Sequence, residues 1–139
     1  MRRLTVVLLL AAVAACSESG TRADRVEVGM CFDDQDGSEI ERFPTVPCDE
    51  PHQNEVFHLF DVEGQDYPGV DALRAEGERV CRGEAFTRYV GETYEASRFD
   101  VFQILPTEGS WSEGDREVVC ALYDPFDNAE TGSARVTSA

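Results

Sequence analysis

The chain has 139 residues, with 12 arginines and no lysine against 28 aspartates and glutamates, a formal net charge of −16 at pH 7. Binding to phosphate backbones needs clustered cations, so this balance excludes nucleic acid as a partner. The length suits one small domain with a modest core.

In chain order, the basic start Met1-Arg2-Arg3 is followed by an uncharged apolar run over residues 4–15. At about 1.5 Å per residue such a run falls well short of the roughly 30 Å hydrocarbon core, so it reads as an export signal and not as a spanning helix. It ends in Val13-Ala14-Ala15-Cys16, which resembles a lipobox: small residues fit the processing protease, and the cysteine thiol accepts the lipid. The expected organisation is a lipoprotein signal peptide at 1–15, a flexible tether at 16–25 bearing diacylglycerol and palmitate-type chains on Cys16, and one domain at 26–135. Lipidation would hold that domain on the extracytoplasmic face of the cell membrane. Loss of residues 1–15 removes two arginines and no acid, so the formal balance becomes −18; anionic headgroups repel such a surface, and attachment then depends on the lipid.

Past the polar tether, Val26, Val28 and Met30 alternate with Glu27 and Gly29 and predict a first strand leading into Cys31-Phe32. A second short strand is expected over 39–46. Residues 55–62 predict a central strand, with Val56, His58, Phe60 and Val62 on one face and Phe57 and Leu59 on the other. Leu73, Gly77, Val80, Cys81, Ala85 and Tyr89 recur at helical spacing, which predicts one amphipathic helix over 71–90 stopped by Gly91. Two more strands are expected at 99–105 and 117–123, each closed by a proline, with a loop or short helical turn between them. The order predicts an α+β fold: a small antiparallel sheet covered by one main helix.

Beyond Cys16 there are four cysteines, Cys31, Cys48, Cys81 and Cys120, and an even number in an exported domain implies two disulfides. Three pairings are possible. Cys31 with Cys48 and Cys81 with Cys120 is favoured, because the first two flank one short segment and the second two lie on elements expected to pack together. A zinc site would need reduced thiols and lacks any Cys-x-x-Cys pair.

Candidate chemistry is sparse. Asp33, Asp34, Asp36 and Glu39 surround a glycine turn and could hold calcium, but aligning Gly37 with the loop glycine of an EF-hand puts Phe32 and Phe43 at the first and last ligand positions, so a solvated turn is preferred. His52 and Glu55 are close enough in sequence to share a metal or a proton; the simpler reading packs His52 against the turn beside a disulfide. His58 reads as a satisfied core histidine. Trp111 could offer a ligand platform, but reads better as the anchor of its loop. No Gly-x-Ser-x-Gly, Ser-x-x-Lys or phosphate-cradling loop occurs. No catalytic constellation, metal or cofactor is therefore expected.

Several stretches together carry a family likeness: Val28-Gly29-Met30-Cys31-Phe32; Val46-Pro47-Cys48 with Pro51-His52 and Glu55-Val56; and, most specifically, Pro106-Thr107-Glu108, Ser110-Trp111, Gly114-Asp115-Arg116 and Val119-Cys120. Over residues 26–133 the chain resembles the septum-formation-related domain of actinobacterial lipoproteins and membrane proteins. The resemblance implies an extracytoplasmic, cysteine-paired, non-catalytic domain and assigns no ligand or active-site residue. Met30, where such domains often carry a polar residue, departs from it. The expectation is a lipid-anchored binding or scaffold module linked to septum formation or envelope growth, with an envelope protein or cell-wall component as partner. The alternatives are a small enzyme acting on wall polymers through His52 and nearby carboxylates, and a calcium-dependent adhesion module.

Overall fold

A computed structural model of the chain describes residues 21–22, 25–35, 42–126 and 129–137. The expected signal peptide, Cys16, residues 17–20 and 23–24 of the tether, and Asp36 and Glu39 of the acidic turn lie outside the described residues. The strands are β1 (Thr21–Arg22), β2 (Cys31–Phe32), β3 (Arg42–Phe43), β4 (Thr45–Val46), β5 (Asn54–Asp61), β6 (Asp100–Ile104) and β7 (Glu117–Tyr123), and the helices are α1 (Val70–Cys81), α2 (Glu84–Val90) and α3 (Glu108–Ser112). Five strands form one antiparallel sheet in the order β4-β2-β5-β7-β6, and β1 pairs with β3 separately. The fold is α+β, as the alternation of elements predicts. No helix among the described residues is long and apolar enough to cross a membrane.

Strand β7 organises the core. Val118, Cys120 and Leu122 point to one face, Val119 and Ala121 to the other, and all five are buried. Cys120 and Leu122 pack with Phe57, Cys81, Phe86 and Tyr89 beneath the helices; Val119 and Ala121 pack with Val26, Phe32, Phe43 and Val56. Strand β5 does not keep a strict alternation. A bulge between Val56 and His58 shifts its register on β7, so that Val56 lies opposite Ala121 and His58 opposite Cys120. The extra residue, Phe57, joins the helix-side core. The predicted partition of β5 is therefore corrected: Phe57 shares a face with His58 and Phe60, and Val56 lies with Leu59, because one inserted residue flips every position before it.

The single helix expected over 71–90 is two helices. The break comes at Arg82 and Gly83, where the Gly83 N–H bonds to the Val80 carbonyl at 3.1 Å. Leu73, Gly77 and Cys81 of α1 and Ala85 and Tyr89 of α2 keep the same four-residue spacing across the break, which hides it from periodicity. An unbroken helix of that length would run about 30 Å; the turn instead lets α1 cover β6 and β7 while α2 covers β5. At Gly77 a Cβ would lie 2.9 Å from Gln103 Cγ, so the missing side chain sets how closely α1 approaches β6.

The first predicted strand is also shorter than expected. Residues 27–30 form a turn, with the Met30 N–H bonded to the Glu27 carbonyl at 3.1 Å and the Gly29 N–H to the Val56 carbonyl at 2.7 Å. Only Cys31 and Phe32 enter the ladder. The apolar alternation survives because Val26 reaches back into the core.

Both disulfides have the favoured pairing, Cys31 with Cys48 and Cys81 with Cys120, at Cα separations of 5.3 and 5.5 Å. The second ties the end of α1 to the middle of β7. The C-terminal segment, which has no apolar period, is held by hydrogen bonds. Glu130 makes an antiparallel bridge with His52, the Gly132 N–H reaches the Cys48 carbonyl at 2.6 Å, and the Val136 N–H reaches the Tyr89 carbonyl at 2.9 Å.

Candidate functional site

Two corners and one groove hold the chemistry-bearing side chains. The first corner centres on Glu55, which lies opposite Cys31 in the β2–β5 ladder and is 1% exposed. One carboxylate oxygen accepts hydrogen bonds from the Tyr89 hydroxyl at 2.5 Å and from the Ser133 hydroxyl. The other accepts from the Ala134 N–H at 2.8 Å. A buried carboxylate is tolerable only with such donors. Burial first, and then the hydrogen bond to Glu55, push the Tyr89 hydroxyl up to about 12, so it stays a donor at physiological pH. Arg135 stacks 5.0 Å over the same ring.

His52 is buried beside this group. Its Nδ1 lies 2.9 Å from the Glu50 carbonyl, and its backbone exchanges two hydrogen bonds with Glu130. Among the described residues, Cys31, His52 and Glu55 are the one group of three potential metal ligands whose donor atoms lie within 4.8 Å of one another. The Cys31 sulfur is bonded to Cys48 and offers no thiolate, while both Glu55 oxygens already accept hydrogen bonds. The set fits a metal poorly. A cavity of about 120 Å³ adjoins His52, Glu55 and Ser133. Its rim holds Arg98, paired with Asp124 and bidentate to Glu130 at 2.6 and 2.7 Å.

The second corner contains the most specific of the sequence motifs. Thr107 and Ser110 cap α3 reciprocally, each backbone N–H donating to the other's hydroxyl at 3.0 Å. The Ser110 hydroxyl donates in turn to Asp115 at 2.8 Å. Trp111 is 3% exposed, donates from its indole nitrogen to the Gln65 carbonyl at 2.9 Å, meets Tyr67 edge-on and carries the Arg116 guanidinium 3.8 Å above its ring. Arg116 also donates to the Gly64 and Trp111 carbonyls. Each of these side chains is spent on holding one loop against another, so Trp111 is an anchor and not a platform.

His58 is half-buried and stacks on Phe60. Burial, then the Arg88 charge, hold its pKa below the usual histidine value. The core placement expected for it is therefore corrected: the bulge brings it to the rim of the helix-covered face.

The groove lies on the other face. Two cavities, of about 440 and 170 Å³, share Phe102 and Asp34; Tyr123, Pro125 and Asn54 line the first, and Phe32, Asp33 and Pro44 line the second. Asp34 Oδ1 accepts from Asn54 Nδ2 at 2.8 Å, and the Asp34 N–H donates to Gln53 Oε1 at 2.7 Å. These bonds tie the described half of the acidic turn to the start of β5. Phe126, 93% exposed, follows Pro125 at the rim. Sequence reasoning singled out Asp33 and Asp34 but missed the groove, since Phe102, Tyr123 and Pro125 come from segments with no shared motif.

At the far end of the same face Asp61 lies directly opposite Glu117. Burial, then the nearby Asp61 and Asp115 charges, raise the Glu117 carboxyl above its ordinary value, the direction that like charges impose.

A family model described as septum formation matches residues 22–138. No curated protein and no solved structure matches the chain.

Proposed function

The chain belongs to the septum formation family, and from that premise we propose that it is a non-catalytic binding or scaffold module of the cell surface, lipid-anchored through Cys16 and acting in septum formation or envelope growth. The observation that carries the non-catalytic part is the saturation of the Glu55 corner. Its carboxylate is occupied by Tyr89, Ser133 and Ala134, its nearest sulfur is in a disulfide, and a general base must instead be within reach of a substrate proton. Both disulfides favour an oxidising compartment. The apolar run before Val13-Ala14-Ala15-Cys16 favours export and lipidation. A charge of −16 favours a cationic protein partner.

The test is intact mass of the protein extracted from its native membrane, before and after reduction and thiol alkylation. A lipid on Cys16 and four further thiols appearing only on reduction is the expected result. An unlipidated Cys16, or free thiols before reduction, would overturn the anchored, disulfide-paired module. The rival envelope hydrolase requires that Glu55→Gln abolish activity while leaving the melting temperature unchanged; the hydrogen bonds at Glu55 predict the opposite.

A further inference from the structure

Strand β6 is an edge of the sheet: β7 pairs with it on one side, and among the described residues no strand pairs with it on the other. Its five residues, Asp100–Ile104, pair with β7 in unbroken register and include no proline, lysine or bulge, so the edge is blunted only at Asp100 and leaves Gln103 able to pair. The Val101 N–H turns to the Asp100 carboxylate at 2.8 Å and so marks the outer side. Antiparallel alternation then directs the Gln103 N–H and C=O outward as well. Phe102 stands between this edge and the groove that reaches Asp33, Asp34 and Tyr123, and among the described residues no arginine lines either of the groove's cavities.

We propose that the β6 edge receives an extended basic segment of a partner protein as an added strand, with alternate arginine or lysine side chains entering the Phe102 groove toward Asp33 and Asp34. Backbone hydrogen bonds to Gln103 supply register, and alternate side chains supply specificity. The stem of an arginine covers the Phe102 and Tyr123 rings, which already lie 6.0 Å apart, and its guanidinium gains from both the rings and the aspartates. A second copy of the chain is disfavoured at the same edge, because it brings another −16 to a surface that repels it, whereas a basic segment is drawn in. This proposal rests on the binding-module reading above and names the surface and partner class for it.

The test uses the full chain in detergent and a fluorescent peptide of about ten residues, an upper length for common strands, alternating arginine and valine. Fluorescence anisotropy compares it with a glutamate–valine counterpart and with a copy N-methylated at every second amide, which keeps the charge but cannot pair with an edge. The arginine–valine peptide should bind, and N-methylation should weaken it about tenfold, as expected for the loss of one or two backbone hydrogen bonds. Gln103→Pro should cause a similar loss and Asp34→Asn a several-fold one. Undiminished binding of the N-methylated peptide to the unaltered protein would overturn the edge. Equal binding of the glutamate peptide would overturn the charge argument. A dimer in sedimentation that Gln103→Pro abolishes would make a second copy the occupant and likewise overturn the proposal. None of these failures touches the intact-mass result on which the anchored-module reading stands.

Discussion

The two faces of the sheet are built by different means from the same strands. The helix-covered face holds Cys81–Cys120 and, through the Cys31–Glu55 register, the neighbourhood of Cys31–Cys48 as well. It also holds the buried Glu55 network and the aromatic set of Phe57, Phe86 and Tyr89. The opposite face has no covalent link among the described residues. There Phe32 meets Phe43 edge-on at 5.0 Å and Phe102 at 6.4 Å, above the small side chain of Ala121. One face is locked from within, while the other leaves Phe102 and Tyr123 half-exposed beside a groove. Rigidity and access are thus divided between opposite sides of β5 and β7.

The contrast breaks or sharpens in measurements of stability. Phe86→Ala, at a fully buried site on the locked face, should lower unfolding stability by about 3–5 kcal/mol in chemical denaturation. Phe102→Ala on the open face should cost only about 1–2 kcal/mol, since that ring is only partly buried; an equal loss at both positions would erase the distinction. Replacing Cys81 and Cys120 by alanine removes a link spanning 39 residues, and replacing Cys31 and Cys48 one spanning 17. Loop entropy predicts losses of about 4 and about 3 kcal/mol respectively. The reverse order would mean that the Cys31 corner is held mainly by its bridge, and not by the Glu55 bonds beside it.

Glu55→Gln should cost about 2 kcal/mol and lower the melting temperature, because an amide cannot accept from all three donors of a buried site. A smaller loss would place water or a rotated Ser133 in the gap. The smallest effect belongs to the open face. Glu117→Gln should raise stability at pH 7 by a few tenths of a kcal/mol, by removing a like-charge cross-strand pair. Its carboxyl is raised in the folded state, so the folded protein binds the proton more tightly than the unfolded chain does. The penalty is therefore fully present above the folded pKa and disappears as pH falls through it toward the unfolded value. The advantage of the glutamine variant should fade over the same interval. Asp100 gives the opposite sign: its hydrogen bond from Tyr94, first among several causes, lowers its pKa. Its stabilising contribution is present at neutral pH and lost as pH falls through the folded value.

Much of the architecture is legible in particular residues. The alternation of Val118, Val119, Cys120, Ala121 and Leu122 specifies a strand buried on both faces, and its observed bounds, Glu117–Tyr123, are those the pattern predicts. Leu73, Gly77 and Cys81 specify a helical face, and the four cysteines Cys31, Cys48, Cys81 and Cys120 form the two bridges expected of them. The misreadings share a physical cause. Periodicity records which residues are buried but not the extra residue at Phe57, where apolar side chains fill both faces of β5 and hide the change of parity, nor the turn at Arg82 and Gly83, where the four-residue spacing resumes in phase on the far side. The candidate site was less legible than the fold. Neither Ser133 nor Ala134 lies within 70 residues of Glu55, their separations being 78 and 79, and a polar tail without period carries no local sign of where it docks.

The sequence by itself determines the composition of the layers, the acidic charge, the disulfide capacity and the family, since these depend on residue types and short-range spacing. Only the tertiary structure decides that Glu55 is bonded to Tyr89, Ser133 and Ala134, that Trp111 serves its own loop, and that Phe102 stands on a strand paired on one side only among the described residues. Each of those outcomes requires groups far apart in the chain to meet, and the free energy of such meetings is set by packing and loop closure across the whole domain.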